Sequence, residues 1–336
     1  MISGRTAKGD RVLLADIGGT NARFAFMERG EVGPIEHTKV ADFSNTSHAI
    51  AAFLGHRSAG QPPAVAVLCV AGPVENSRCI ITNSRWTIDG ADLKKKFGFT
   101  TVHLLNDFEA VAWSLPALQT ADLFPAGELL PTLGAPMLAV GPGTGFGAAC
   151  LFPDDARPFA VVTEAGHSTL PATSEREARV IGQLRQRFGH VSVERALSGP
   201  GLENLYCALA AVDGVTAPDR DAAAITQAAF DGSCDLSRAA LDMFCSLLGT
   251  VAGDLALTFC ARGGVYIAGG IVPRFANRLV ETDFRKQFEG KGRFESYLQD
   301  ISTNIIVTAD ASFLGLKAFY ERNLALPGVS AVRSNP

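Results

Sequence analysis

A chain of 336 residues, 47% hydrophobic and 19% charged, has an ordinary globular composition and room for two domains. Its net charge of -4 argues against a nucleic-acid partner, which needs a basic face, and leaves small metabolites open. Seven cysteines with no C-x-x-C pair, set mostly among apolar neighbours, imply reduced and mostly buried thiols, a cytoplasmic setting and no structural zinc.

The first ten residues lack an apolar signal core, and the opening tail ends near Asp10. Strands are predicted over 11–16, 23–28 and 36–41, followed by a helix over 47–58 with Ser47 as candidate N-cap. The run from Ala64 to Val70 reads as a fully buried strand. A helix over 89–97 starts at Asp89, a strand runs from Thr101 to Leu105, and a helix from Phe108 to Ser114 stops before Pro116. Residues 115–137 are rich in Pro and Gly and poor in pattern, which places a domain crossing near residue 117. Beyond it come a glycine-rich hairpin, a strand from Phe159 to Thr163, and helices at about 174–188, 201–212, 221–230 and 237–261. The last is long and apolar, as a core helix is, and no stretch approaches the roughly 18–20 apolar residues of a membrane span, so no membrane partner is expected. Strands at 265–268 and 303–308 and a helix over 311–322 complete the pattern, and the tail from Pro327 to Pro336 reads as disordered. Strands alternating with helices imply an α/β fold. Residues 1–117 plus 308–336 form a small domain and 118–307 a large one, the final helix returning to the first.

Two hairpins share one design. Leu13 to Phe26 and Leu138 to Leu151 are each an apolar strand, a Gly/Thr turn and a second apolar strand. Glycine at such turns permits positive φ and lets bare N–H groups approach an anion. Two such loops suit a polyphosphate, which makes phosphoryl transfer the leading chemistry. In the first loop, Asp16 ends an apolar strand where a carboxylate is costly unless it meets a cation or donor. It is placed to hold a Mg²⁺-bound water, with Gly18, Gly19, Thr20 and Asn21 around the terminal phosphates. A plain tight turn explains the same residues. The second loop, Gly141 to Gly147, is not a dinucleotide fingerprint, because the sixth position counted from Gly141 is Phe146 and a strand follows it. No P-loop pattern occurs in the chain. At Gly269-Gly270, after a short buried strand, two glycines leave space for a flat group such as adenine.

Asn106-Asp107 sits at the carboxyl end of a strand, the ligand edge of an open α/β sheet, although Asp107 reads equally as the N-cap of the next helix. Glu164-Ala165-Gly166-His167 follows another strand, and one Glu with one His does not make a metal site. Glu194 precedes a helix opened by Ser198-Gly199-Pro200-Gly201 and reads equally as an exposed helix residue. Asn, three carboxylates and a His at loop positions match what a sugar requires, since carboxylates and amides bridge vicinal hydroxyls.

Six ordered blocks carry a resemblance: Ala15 to Arg23, Leu105 to Phe108, Gly141 to Gly147, Glu164 to His167, Glu194 to Leu202 and Gly269 to Ile271. On these the chain resembles the bacterial glucokinases, within the actin, hexokinase and heat-shock ATPase superfamily. The resemblance implies a two-domain hexokinase-type fold with the ligand cleft between domains. It implies ATP and Mg²⁺ bound by Ala15, Asp16, Ile17, Gly18, Gly19, Thr20 and Asn21 and by Gly141, Gly143, Thr144 and Gly145, with Gly269 and Gly270 near the adenosine. Asn106, Asp107, Glu164, His167 and Glu194 would bind glucose, and Asp107 would be the general base for its 6-hydroxyl. A homodimer is implied too. The family usually has Gly-Gly where this chain has Ala165-Gly166, and Ala does not easily take positive φ, so the shape of that loop is in question. A kinase for another hexose, a sugar-binding regulator and an ATP-driven assembly module are the rival readings.

Overall fold

The computed structural model describes residues 11–56, 62–81, 84–127, 131–154 and 157–325. The expected opening and closing tails lie outside the described residues, as do the last residues expected of the first helix. The chain divides into two compact units, one made of residues up to Leu118 and from Ala309 onward, the other of Gln119–Thr308.

In the first unit the elements are β1 (Val12–Ile17), β2 (Asn21–Glu28), β3 (Glu31–Val32), β4 (Glu36–Lys39), α1 (Thr46–His56), β5 (Val65–Val70), β6 (Arg78–Ile80), β7 (Thr87–Asp89), α2 (Gly90–Phe97), β8 (Thr101–Asn106) and α3 (Asp107–Ser114). The main sheet runs β3-β2-β1-β5-β8, with β4 also on β2. β1, β5 and β8 are parallel neighbours, and β2 returns antiparallel from β1. Parallel strands covered on both faces read as continuous apolar runs, which is why VLLADI and VAVLCV were recognisable. α1 begins one residue earlier than expected and is capped by Asn45, not Ser47: the Asn45 Oδ1 accepts the His48 N–H at 3.0 Å. Asp89 caps α2 as the sequence implied, accepting from the Ala91 and Asp92 amides at 2.9 and 3.2 Å. The β6–β7 hairpin was not anticipated.

The second unit holds β9 (Leu123–Pro125), β10 (Met137–Pro142), β11 (Phe146–Phe152), β12 (Phe159–Thr163), α4 (Glu175–Phe188), α5 (Gly199–Asp213), α6 (Ala222–Phe230), α7 (Asp235–Phe259), β13 (Val265–Ile267), α8 (Ala276–Leu279), α9 (Phe284–Glu289), α10 (Glu295–Gln299) and β14 (Thr303–Ile306). Its sheet is ordered β12-β11-β10-β13-β14-β9, with β10, β13 and β14 parallel. The segment read as patternless thus contains an edge strand, β9, antiparallel to β14. The expectation that no stretch approaches a membrane span needs correction. α7, at 25 residues, is long and apolar enough by length and composition, yet 72% of its most apolar window is buried inside the fold. It packs closely on α9, where a side chain at Gly249 or Gly253 would strike the Phe284 or Phe288 carbonyl.

The chain then returns to the first unit as α11 (Ala311–Asn323). Phe313 and Leu316 of α11 join Ala110 of α3 over the face formed by Val12, Leu14, Val67 and Cys69. The opposite face, from Leu13, Ala15, Ile17, Ala66 and Leu68, packs on Ile50 and Phe53 of α1 and on Trp86. All seven cysteines are free thiols; Cys69, Cys79, Cys150 and Cys245 are buried, while Cys207 and Cys260 are exposed.

Candidate active site

In the first unit, register brings the predicted residues to one sheet edge. Parallel pairing sets Asp16 beside Cys69 and Val70 beside Asn106, so Asp16 and Asn106-Asp107 all lie at the carboxyl ends of neighbouring strands. Asp16 stands across the β1–β2 hairpin from Arg23, and its Oδ2 accepts from the Arg23 guanidinium and, at 2.7 Å, from the Ser312 hydroxyl of α11. The Arg23 Nη1 donates to the Ala309 carbonyl at 2.8 Å. The costly carboxylate at the end of an apolar strand therefore has its cation inside its own hairpin.

The turn closes with the Gly18 amide donating to the Asn21 carbonyl at 2.9 Å, and Val40 N–H donates to the Thr20 carbonyl at 2.9 Å. Gly18 does not occupy the left-handed region, so freedom of φ is not what the turn asks of it. Thr20 and Asn21 are exposed, while the Ala15 and Ile17 side chains are buried in the core.

Asn106, not Asp107, is the N-cap of α3. Its Oδ1 accepts the Phe108 N–H at 2.9 Å and the Glu109 N–H at 3.4 Å, its Nδ2 donates to the Gly72 carbonyl at 3.1 Å, and Glu109 closes a capping box. Asp107 is the first helical residue, its Oδ1 accepting the Phe108 N–H at 2.9 Å. Two thiols register this carboxylate. Burial, then the charges of Asp16 and Asp107, pushes Cys69 well above its ordinary pKa, and burial followed by Asp107 raises Cys79 to about 11.

In the second unit, Glu164, His167 and Glu194 come together around the second glycine loop. Ala165–His167 and Val193–Arg195 are two 3-10 turns, joined by the Val193 N–H to Ser168 carbonyl bond at 2.9 Å and by pairing of Thr169 with Ser192. His167 Nε2 lies 4.0 Å from Glu164 Oε2, both side chains exposed. Glu194 is no idle helix residue, because its Oε2 accepts the Phe146 N–H of the loop at 2.9 Å. Its carboxylate fills the space that a side chain at Gly145 would need, and Gly166 is held bare by the Phe146 carbonyl. Ala165 lies in its 3-10 turn outside the left-handed region, so the turn does not ask this position for glycine's conformational freedom.

The loop is tied on its other sides as well. Gly143 N–H donates to the Gly145 carbonyl at 2.7 Å, and the Gly143 carbonyl accepts the Gly199 N–H at the start of α5 at 2.9 Å. α5 is capped by Ser198, whose Oγ accepts the Gly201 N–H at 2.9 Å. Gly269 has φ 90° and abuts the Pro142 carbonyl, so here glycine is required both for conformation and for space. Gly141 to Gly145, Gly269-Gly270 and the N-terminus of α5 thus converge on a stretch of bare backbone, with the first amides of α5 taken up by Gly143 and Ser198. Thr144 and Gly270 are exposed there.

A family model described as Glucokinase matches residues 13–323. The chain belongs to the glucokinase family. The glucokinase of Nitrobacter hamburgensis is 41% identical over 304 residues, covering 90% of this chain and 95% of that protein. The glucokinase of Paramagnetospirillum magneticum is 43% identical over 308 residues, covering 91% and 96%. Among solved structures, the glucokinase from an Antarctic psychrotroph superposes with a TM-score of 0.84 at 35% identity, covering 92% of this chain and 98% of that one. The two α/β units are accordingly those of the two-domain hexokinase-type fold that glucokinases share.

Sequence reasoning missed three contributors to the site. Arg23 carries a signal, a cation directly opposite the Asp16 carboxylate in an otherwise apolar hairpin. Ser312 carries none, since only the return of α11 brings it to Asp16. Gly199 was noted as part of a helix start, but its bond to the loop depends on tertiary placement.

Proposed function

We propose that this chain transfers the γ-phosphoryl of ATP to the 6-hydroxyl of D-glucose, giving glucose 6-phosphate and ADP. The observation that carries this reading is the seating of Glu194 on the second glycine loop, which on this reading joins the carboxylate given to the sugar to the backbone given to the phosphates. Glu164, His167 and Glu194 offer a bank of acceptors and one imidazole to vicinal hydroxyls, and Asn106 and Asp107 offer the same chemistry at the sheet edge of the first unit.

The primary hydroxyl is a poor nucleophile while protonated. Asp107 accepts its proton as the bond to phosphorus forms, that proton leaving late in a loose transition state. The turn amides other than those of Gly18 and Gly143, which close the two turns, offset charge on the phosphates. Gly269 and Gly270 leave a bare surface for the adenosine. Magnesium brought in with the nucleotide would neutralise phosphate charge. Asp16 fits it through water: one carboxylate with an Arg23 and Ser312 anchor on Oδ2 suits a cation that keeps most of its waters. Among the described residues no three His, Cys, Asp or Glu side chains converge as a resident metal cage would require. A cytoplasmic homodimer supplying glucose 6-phosphate to glycolysis extends the same reading.

The deciding experiment is a coupled assay with ATP and Mg²⁺ across glucose, mannose, fructose and N-acetylglucosamine at equal concentrations. The reading requires glucose to be turned over with the highest kcat/KM. A higher value for another hexose reassigns the substrate, and no turnover of any hexose removes the kinase. Substituting ADP or polyphosphate for ATP tests the donor, and sedimentation tests the dimer.

A further inference from the structure

The backbone that carries Glu194 is pinned to α5 at two successive carbonyls. The Glu194 carbonyl accepts the Ser198 hydroxyl at 2.8 Å, and the Arg195 carbonyl accepts the Asn204 Nδ2–H at 3.0 Å. Ser198 also caps α5. Asn204 caps nothing. It lies inside α5 among the core residues Leu202, Leu205 and Leu209 and is 8% exposed, where an amide is costly unless both of its ends are bonded.

Both ends are bonded. While Nδ2 donates to Arg195, Oδ1 accepts from the Arg187 Nη1 of α4 at 2.9 Å. A carbonyl on one side and a guanidinium on the other allow the amide one orientation only. The Arg187 and Arg195 guanidiniums both lie over the Phe188 ring, 4.7 and 4.3 Å from its centroid. Phe188, Arg187, Asn204 and Arg195 therefore close a ring of contacts around the residue that follows Glu194. The turn they brace, Val193–Arg195, is a single 3-10 turn, whose own hydrogen bonding is poorer than that of an α-helix.

We propose that Asn204 is a positioning residue for the sugar: by holding the Arg195 carbonyl it fixes the turn so that Glu194 presents its carboxylate to a hydroxyl while Oε2 stays on the Phe146 amide. This rests on the reading of Glu194 as a sugar ligand given above. Asn204 acts through Glu194, and Arg187 acts through Asn204.

Hydrogen exchange at the Phe146 amide, followed by NMR, reads the seating of Glu194 with no ligand present, and calorimetry reads glucose binding. Asn204→Leu keeps the volume and removes both bonds. Asn204→Asp keeps an acceptor for Arg187 and removes the donor to Arg195. In both, exchange at Phe146 is expected to quicken about tenfold and the Kd for glucose to rise about tenfold, with Tm showing that the fold survives. In a Glu194→Ala background, where no carboxylate remains to be placed, Asn204→Leu is expected to change that Kd by less than about twofold. Arg187→Met, at an exposed position, is expected to shift both readouts the same way by less, and with Asn204→Asp it carries the test if Asn204→Leu does not fold. Parental exchange and parental Kd in a folded Asn204 variant overturn the proposal. A loss that persists in full without Glu194 overturns the route through that carboxylate, and a parental Arg187→Met removes the part given to Arg187. A parent chain that binds no glucose overturns the functional reading and the sugar role with it, whereas the exchange result judges the seating of Glu194 by itself.

Discussion

The Glu194 carboxylate occupies the place where a side chain on residue 145 would stand, and from there it receives the Phe146 N–H. Gly145→Ala therefore has to displace Glu194 or the loop. Losing a hydrogen bond to a charged acceptor costs about 1.5–3 kcal/mol, so kcat/KM for glucose is expected to fall by about 10–150-fold. Steady-state kinetics check it, with thermal unfolding run alongside to show that the fold survives. An unchanged kcat/KM would mean that the seating of Glu194 is incidental to function.

Asp107 opens α3 and does not cap it, so its replacement leaves the Asn106 cap in place. Asp107→Ala is expected to lower kcat by about 10²–10⁴ while ATP affinity stays nearly intact. Near-normal turnover in a folded variant would take the base role away from this residue.

Arg23 and Ser312 converge on one oxygen of Asp16, which makes them energetically coupled. Arg23→Met is expected to destabilise the chain by about 1.5–3 kcal/mol and Ser312→Ala by about 1 kcal/mol, with the double variant losing less than the two together. Urea unfolding of the four proteins gives the cycle. Strict additivity would show that the two donors act independently.

Glu109 supplies a pH test. Burial holds its carboxyl above the ordinary 4.5, against the Asn106 amide that favours the charged form. A raised folded pKa contributes stability that is full below the unfolded value of 4.5 and is lost as pH rises through the folded value. Glu109→Gln keeps an acceptor for the Asn106 N–H and removes the buried charge. Its Tm is expected to exceed that of the parent at pH 7, with the difference shrinking as pH falls toward 4.5. A difference that grows on acidification would contradict this assignment.

Gly315 of α11 faces the Ala110 carbonyl of α3 so closely that a methyl group has no room. Gly315→Ala is expected to cost about 1–3 kcal/mol, or more, by forcing the two helices apart. Because α3 carries Asp107, the loss should appear in kcat as well as in Tm. A folded variant with parental Tm would show that the helix pair gives way at no cost.

The parallel strands and glycine hairpins were legible because burial on both faces leaves unbroken apolar runs and because Gly/Thr turns interrupt them sharply. Glu164, His167 and Glu194 were legible as residue types, but what ties Glu194 to Phe146 was not, since it is a contact between distant segments. Asp107 was read as the cap alternative and Asn106 was not, because adjacent Asn and Asp both suit the position; the strand runs one residue further and makes Asn106 the cap. β9 escaped because three residues ending in Pro show no period, and its pairing with β14 is made far along the chain. The turn glycines were credited with conformational freedom, whereas at Gly145 and Gly166 the requirement is bare space. Gly269 needs both.

The sheet face of Val12, Leu14, Val67 and Cys69 is roofed by α11, whose residues are made long after those strands. On the ribosome, the strands must wait with an oily surface uncovered until Phe313 and Leu316 arrive. Cells making this protein should accordingly depend on chaperones that shelter nascent chains, and a stop codon placed just before Ala311 should yield inclusion bodies.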